Sequence, residues 1–150
     1  MPSPLNGIRV LDMGAFGVGP KACGILGLLG AEVIRIEPDY GDGLMRVAPF
    51  IKGIGTTYLA PHHNSKNIVL GLRDEKAKKI GYKLIKKVDI LIENRRFGAL
   101  DRLGFGYTTV SKINPRIIYA SSPAYGHSGP FVKYGGTDHF VQAMSGFASL

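Results

Sequence analysis

Ile8-Arg-Val-Leu-Asp-Met13, Gly14-Ala-Phe-Gly-Val-Gly-Pro20, a short apolar stretch and Val33-Ile-Arg-Ile-Glu37 form one continuous unit: strand, glycine-rich turn, helix, strand. Such a unit aims backbone N–H groups and a helix N-terminus at one place, which suits a phosphate-bearing ligand. In the helix expected over 20–30, Pro20 suits the first helical position and Gly30 a left-handed terminator. Gly24, Gly27 and Gly30 recur every third residue, so one side of that helix is bare and can lie close to a sheet. Cys23 within it reads as a small core residue, since nothing nearby in sequence would generate a thiolate.

Outward from this unit, runs rich in Val and Ile recur at 8–13, 33–37, 67–70, 89–93 and 116–121, and the first four are spaced widely enough for crossovers. The pattern predicts an α/β fold, a mostly parallel sheet buried on both faces by flanking helices. The clearest helix is 74–88: Asp74 can cap its start, and Ala77, Ile80, Leu84, Ile85 and Val88 fall on one face. Lysines 76, 78, 79, 83, 86 and 87 occupy the other, a solvated face rather than a nucleic-acid surface, because only Tyr82 could stack on a base.

A chain of 150 residues suits one domain burying roughly 70% of its unfolded surface. With 45% apolar and 20% charged residues it is globular rather than disordered. One cysteine excludes an internal disulfide framework and suits a reducing compartment. Neither a signal-like start nor an apolar run long enough for a membrane span is present, so the expected location is the cytoplasm, with neither membrane nor nucleic acid as partner. The net charge of +8 favours anions, a polyphosphate cofactor among them.

Gly17-Val-Gly19-Pro-Lys-Ala22 fits a dinucleotide fingerprint, and Glu37 ends the next strand where such a site keeps its ribose-binding acid. Gly14, Ala15 and Phe16, however, separate that fingerprint from its strand and displace its first glycine. An NAD-binding oxidoreductase domain is therefore the weaker reading. Arg73, Arg95, Arg96 and Arg102 follow strand ends, a placement suited to phosphate groups. His62 and His63 are adjacent and lack a second Cys/His cluster, so no metal site is expected. Gly126-His-Ser-Gly-Pro130 lacks the final glycine of a nucleophile elbow.

Six blocks together resemble one family: Pro4-Leu-Asn-Gly-Ile-Arg-Val-Leu-Asp12, Gly30-Ala-Glu-Val-Ile-Arg-Ile-Glu-Pro38, Glu93-Asn94 with Gly98-Ala-Leu-Asp-Arg-Leu-Gly104, Ile113-Asn-Pro-Arg-Ile-Ile-Tyr119, Tyr125-Gly-His-Ser-Gly-Pro130 and Gln142-Ala-Met-Ser-Gly146. In order and spacing they are similar to the N-terminal part of the family III CoA-transferases, which include formyl-CoA and carnitine CoA-transferases and the α-methylacyl-CoA racemases. The resemblance implies that residues 1–150 are the N-terminal part of a Rossmann-like, CoA-binding domain, the remainder of the family fold lying outside them. It implies coenzyme A as acyl carrier, an acyl-CoA and a small carboxylic acid as substrates, and a homodimer as the assembly. Carried over by position, cofactor contacts fall on Gly17 and Val18; Leu70, Gly71, Leu72 and Arg73; Asn94, Arg95 and Arg96; Arg102; and Ser122, Pro123, Ala124 and Tyr125. Members often have glutamine where Gly17 stands and an aromatic residue where Arg95 stands.

In such transferases a carboxylate attacks the thioester, expels CoA thiolate as a mixed anhydride forms, and the CoA is returned to a second acid. The resemblance places that aspartate beyond Leu150, leaving Asp138 as a helix cap or supporting acid. Thr137 stands where the racemases carry a histidine, which disfavours racemase chemistry. Phe140, Val141, Met144, Phe147 and Ala148 form an apolar stripe that expects more chain to cover it. The expectation is a CoA-transferase whose first 150 residues alone have little turnover, with a non-catalytic CoA- or partner-binding fragment as the other reading.

Overall fold

The computed structural model describes residues 3–149. Along the chain lie β1 (Arg9–Asp12), α1 (Val18–Leu28), β2 (Glu32–Glu37), a 3-10 turn (Gly43–Arg46), β3 (Phe50–Ile51), β4 (Ile54–Gly55), α2 (Thr56–His62) and β5 (Ser65–Val69). There follow α3 (Glu75–Ile85), β6 (Ile90–Glu93), α4 (Ala99–Leu103), α5 (Tyr107–Ile113), β7 (Ile118–Ser121), α6 (Asp138–Ser145) and a second 3-10 turn (Phe147–Ser149). Five strands form one parallel sheet in the order β5-β2-β1-β6-β7, with Leu11 opposite Ile34 on one side and Leu91 on the other. This is the expected α/β architecture, Rossmann-like in that the chain winds outward from β1 and then returns to its other side. The strand order reverses between β1 and β6, and a crevice opens at the carboxyl ends of those two strands.

Each strand sends alternate side chains to opposite faces, and a separate apolar cluster covers each face. Leu11, Met13 and Leu91 meet Ile85, Leu100, Phe105 and Val110 on the α3–α5 side. Val10, Val33 and Ile92 meet Cys23 of α1 on the other side. Burial and the nearby Asp12 carboxylate push the Cys23 thiol pKa up, so it behaves as the expected core residue.

The helices depart from expectation in instructive ways. α1 begins at Val18, so Pro20 is its third residue rather than its first, while Gly30 does follow the helix in the left-handed conformation (φ 100°). The bare glycine side meets α2 as well as the sheet: a methyl group on Gly24 would lie 2.6 Å from the Pro61 carbonyl oxygen. In α3 the Asp74 carboxylate caps as expected, accepting from the N–H groups of Lys76 (2.9 Å) and Ala77 (3.0 Å). Ile80, expected in the core, is 41% exposed, and Gly81 takes the buried place because Phe105 lies against it. Asp138 is the first residue of α6 and Thr137 its cap position; the Asp138 carboxylate accepts from the Gln142 side chain. No described helix is long and apolar enough to cross a membrane.

Candidate functional site

Every expected contact segment lies at the carboxyl rim of the sheet, but spread along it. Leu70 to Arg73 follow edge strand β5 and Ser122 to Tyr125 follow the opposite edge, β7, about 19 Å away at the usual strand spacing. Leu70 is buried in the core, Gly71 faces the Asp39 carboxylate, Leu72 packs partly against the core, and Arg73 is exposed. On the far edge the Ser122 N–H donates to the Glu93 carbonyl (2.9 Å), Pro123 is buried, Ala124 is exposed, and the Tyr125 hydroxyl donates to Met144 Sδ (3.3 Å).

The turn between β1 and α1 occupies the crevice. Asp12 accepts from the Gly14 N–H (2.8 Å), and Phe16 takes a left-handed conformation (φ 58°) with 59% of its surface exposed. Among the described residues the N–H groups of Phe16 and Gly17 have no partner. A methyl group on Gly17 would meet nothing within 4 Å, whereas one added to Gly14 or Gly19 would lie 2.8 or 3.0 Å from the Asn94 amide oxygen. The fold therefore needs Gly14 and Gly19, and space stands open at Gly17, beside exposed Val18.

The side chains after β6 are already engaged. Asn94 accepts from the Ala15 N–H and donates to the Ala15 carbonyl, both at 2.8 Å. Arg95 donates from Nε to the Met13 carbonyl (2.8 Å), and Arg96 donates from Nε to the Lys133 carbonyl (2.9 Å). Of the four arginines expected on this rim, Arg73, Arg96 and Arg102 are exposed and none has an ion pair among the described residues; Arg73 and Arg102 also make no side-chain hydrogen bond there. Arg102 lines an open cleft of about 810 Å³ together with Glu93, Phe97, Tyr107 and Tyr119. Glu93 is buried, accepting from the Arg95 N–H (2.7 Å) and the Ser121 hydroxyl. Burial, with Glu93 next, pushes the Tyr119 pKa up and keeps that phenol protonated.

Sequence reasoning missed the ionic centre on the α1 side of β2. Arg35 is 1% exposed and meets Asp12 (2.6 Å), Asp42 (2.5 Å) and Glu37 (3.3 Å). Glu37 also accepts from the Tyr58 hydroxyl and from Asn67 Nδ2 (3.3 Å), so it is no free ribose-binding acid, which removes the strongest support for an NAD site. His62 stacks on Tyr58 at 4.4 Å and donates from Nδ1 to the Tyr58 carbonyl (2.5 Å). Its Nε2 is buried with no partner among the described residues, and burial depresses its pKa. No group of three or more His, Cys, Asp or Glu side chains able to hold a metal occurs among the described residues.

Comparison with known proteins places the chain in a family and its fold among solved structures. The sequence model of CoA-transferase family III matches residues 5–150. The chain is 41% identical over 144 residues to an acetyl-CoA:oxalate CoA-transferase of Acetobacter aceti, covering 95% of this chain and 37% of the relative. It is 39% identical over 149 residues to the human succinyl-CoA:glutarate CoA-transferase, covering 98% of this chain and 34% of the relative. A crystal structure of a CAIB/BAIF family protein from Brucella suis superposes with a TM-score of 0.91 at 30% identity, over 97% of this chain and 40% of the other. The chain thus spans little more than a third of the length of the curated relatives it matches.

Proposed function

This chain belongs to CoA-transferase family III, and from that premise we propose that its carboxyl rim binds coenzyme A as the N-terminal part of an acyl-CoA:carboxylate CoA-transferase. The observation that carries the reading is the pairing of donors left unspent. The Phe16 and Gly17 N–H groups at the crevice, with the exposed guanidinium groups of Arg73 and Arg102 along the same rim, form a donor set suited to an extended polyphosphate ligand. In this reading Arg73 and Arg102 hold phosphate. Gly17, Val18, Leu70 to Leu72 and Ser122 to Tyr125 offer backbone or small surfaces along the ligand, and Asn94, Arg95 and Arg96 border it.

When bound, coenzyme A supplies the thiol that carries the acyl group. Several carboxylates within this chain are already committed to internal contacts. Asp12, Glu37, Asp42 and Glu93 are buried and hydrogen-bonded, and Asp138 is held by Gln142. The family resemblance places the nucleophilic carboxylate beyond these 150 residues, which in this reading turn over little or no substrate on their own. The acyl-CoA, a small carboxylic acid and a second copy of the chain are the partners.

Calorimetric titration with coenzyme A and, separately, NAD tests the assignment. Coenzyme A binding that weakens about tenfold or more in Arg102→Ala, with no heat from NAD, supports it. Binding of NAD alone would sink it.

A further inference from the structure

Asn94 stands among the residues expected to touch the cofactor, yet both hydrogen-bonding ends of its amide are used on a single residue of the facing turn. Its oxygen accepts from the Ala15 N–H and its nitrogen donates to the Ala15 carbonyl, across the point where the strand order reverses. Gly14 and Gly19 close around the same amide oxygen so tightly that a methyl group at either would lie inside van der Waals contact with it, at 2.8 and 3.0 Å. Beside it, Arg95 fixes the Met13 carbonyl. The next residue, Phe16, is held in the left-handed region, which is costly for a residue with a Cβ and persists only where its surroundings enforce it. The ring of Phe16 in turn lies against Gly43, whose added methyl would be 3.3 Å from Phe16 Cε1.

We infer that Asn94 is a positioning residue: by clasping Ala15 in both directions it imposes the left-handed step at Phe16 and so fixes the direction of the unpartnered Phe16 and Gly17 N–H groups. It governs coenzyme A affinity through the turn rather than by contact. The inference rests on the coenzyme A reading above. Gly14 and Gly19 are part of the same device, because only residues without a Cβ let the amide reach Ala15. Asn94 was legible in the sequence as part of the Glu93-Asn94 block of the family resemblance; its partner, 79 residues away, was not.

The test is calorimetry of coenzyme A with wild type, Asn94→Asp, Asn94→Ala, Gly19→Ala and the Asn94→Ala/Gly19→Ala pair, alongside amide exchange at Ala15. Asn94→Asp keeps the acceptor for the Ala15 N–H and loses the donor, so it is the variant that stays folded if Asn94→Ala does not. The inference expects Asn94→Asp and Asn94→Ala to weaken binding about tenfold or more, with faster exchange at Ala15 while Leu11 and Leu91 remain protected. It also expects the double variant to lose little beyond the larger single loss, since both changes disturb one turn. A merely structural role would lower the melting temperature and leave the Kd of the folded protein unchanged, which overturns the inference. Fully additive losses overturn it in favour of direct contact. Wild type that binds no coenzyme A sinks the transferase reading and this inference with it, whereas normal wild-type binding with an unaffected Asn94→Asp sinks this inference alone.

Discussion

The guanidinium of Arg35 lies 2.6 Å from the carboxylate of Asp12, with both side chains 1% exposed, one strand over from each other at the upper edge of the α1-side core. Below them on the same face stand Val10 and Val33, so a single sheet surface changes from apolar to ionic along its length. The ionic end is covered by Tyr58 and His62 of α2 and by Asp42.

Removing the Arg35 cation from this centre leaves the Asp12, Glu37 and Asp42 carboxylates buried together. Arg35→Met is expected to cost about 3–5 kcal/mol of unfolding free energy, because an uncompensated buried charge is far more costly than an absent pair. Urea unfolding at neutral pH measures it; a change below about 1 kcal/mol would show that the Asp12–Arg35–Asp42 contacts are not formed in solution.

Acid should loosen the same region. Burial depresses the folded-state pKa of His62 below its ordinary 6.5, and protonation would add a donor at Nε2, where no acceptor waits, although Asp12 and Asp42 lie near enough to oppose part of the effect and Arg35 to add to it. Because the unfolded chain takes up that proton first, this contribution to stability is intact above about pH 6.5 and declines as pH falls from there toward the folded pKa. Stability measured from pH 7.5 to 5 should fall, and His62→Gln should flatten the decline.

Two glycines should respond unequally to alanine. Gly81→Ala gains helix propensity but drives a methyl group to 2.7 Å from the fully buried Phe105 ring, for a net loss of about 1–3 kcal/mol. Gly17→Ala enters open space at an ordinary φ of −94° and should change stability by about 0.5 kcal/mol or less. Thermal melts of the two variants separate the cases, and equal shifts would contradict the packing described.

Asp74→Ala deletes the two capping bonds to Lys76 and Ala77 and should cost about 1 kcal/mol, a melting shift of roughly 2–4 °C for a chain of this size. Asp74→Asn, which keeps the acceptor, should recover most of it.

How much of this was legible beforehand follows from the range of each interaction. The five parallel strands were readable because Val- and Ile-rich runs carry their burial in local composition, and the Asp74 cap because its partners are two and three residues away. The carboxyl-rim placement of Arg73 and Arg102 followed from strand ends alone. Arg35 was hidden inside Val33-Ile-Arg-Ile-Glu37, where it read as one charge in a buried strand. Alternation puts it on the face of Val33 and Glu37, but Asp12 and Asp42 reach it only through the sheet and the crossover. The contacts of Asn94 with Ala15 and of Gly24 with Pro61 are likewise tertiary, and the two-residue strands β3 and β4 are too short to show a period.

The crossover from β2 to β5 is tied to the ionic centre at two points, Asp42 on Arg35 near its start and Tyr58 on Glu37 near its end. Between those moorings the Phe50–Ile51 and Ile54–Gly55 hairpin projects largely exposed side chains. That leaves the exposed hairpin tip, residues 50–54, as the exchangeable part of the crossover: a different sequence there spares the Rossmann-like frame as long as Asp42, Tyr58, Gly43 against the Phe16 ring and Gly55 against the Leu44 and Val47 carbonyls are kept.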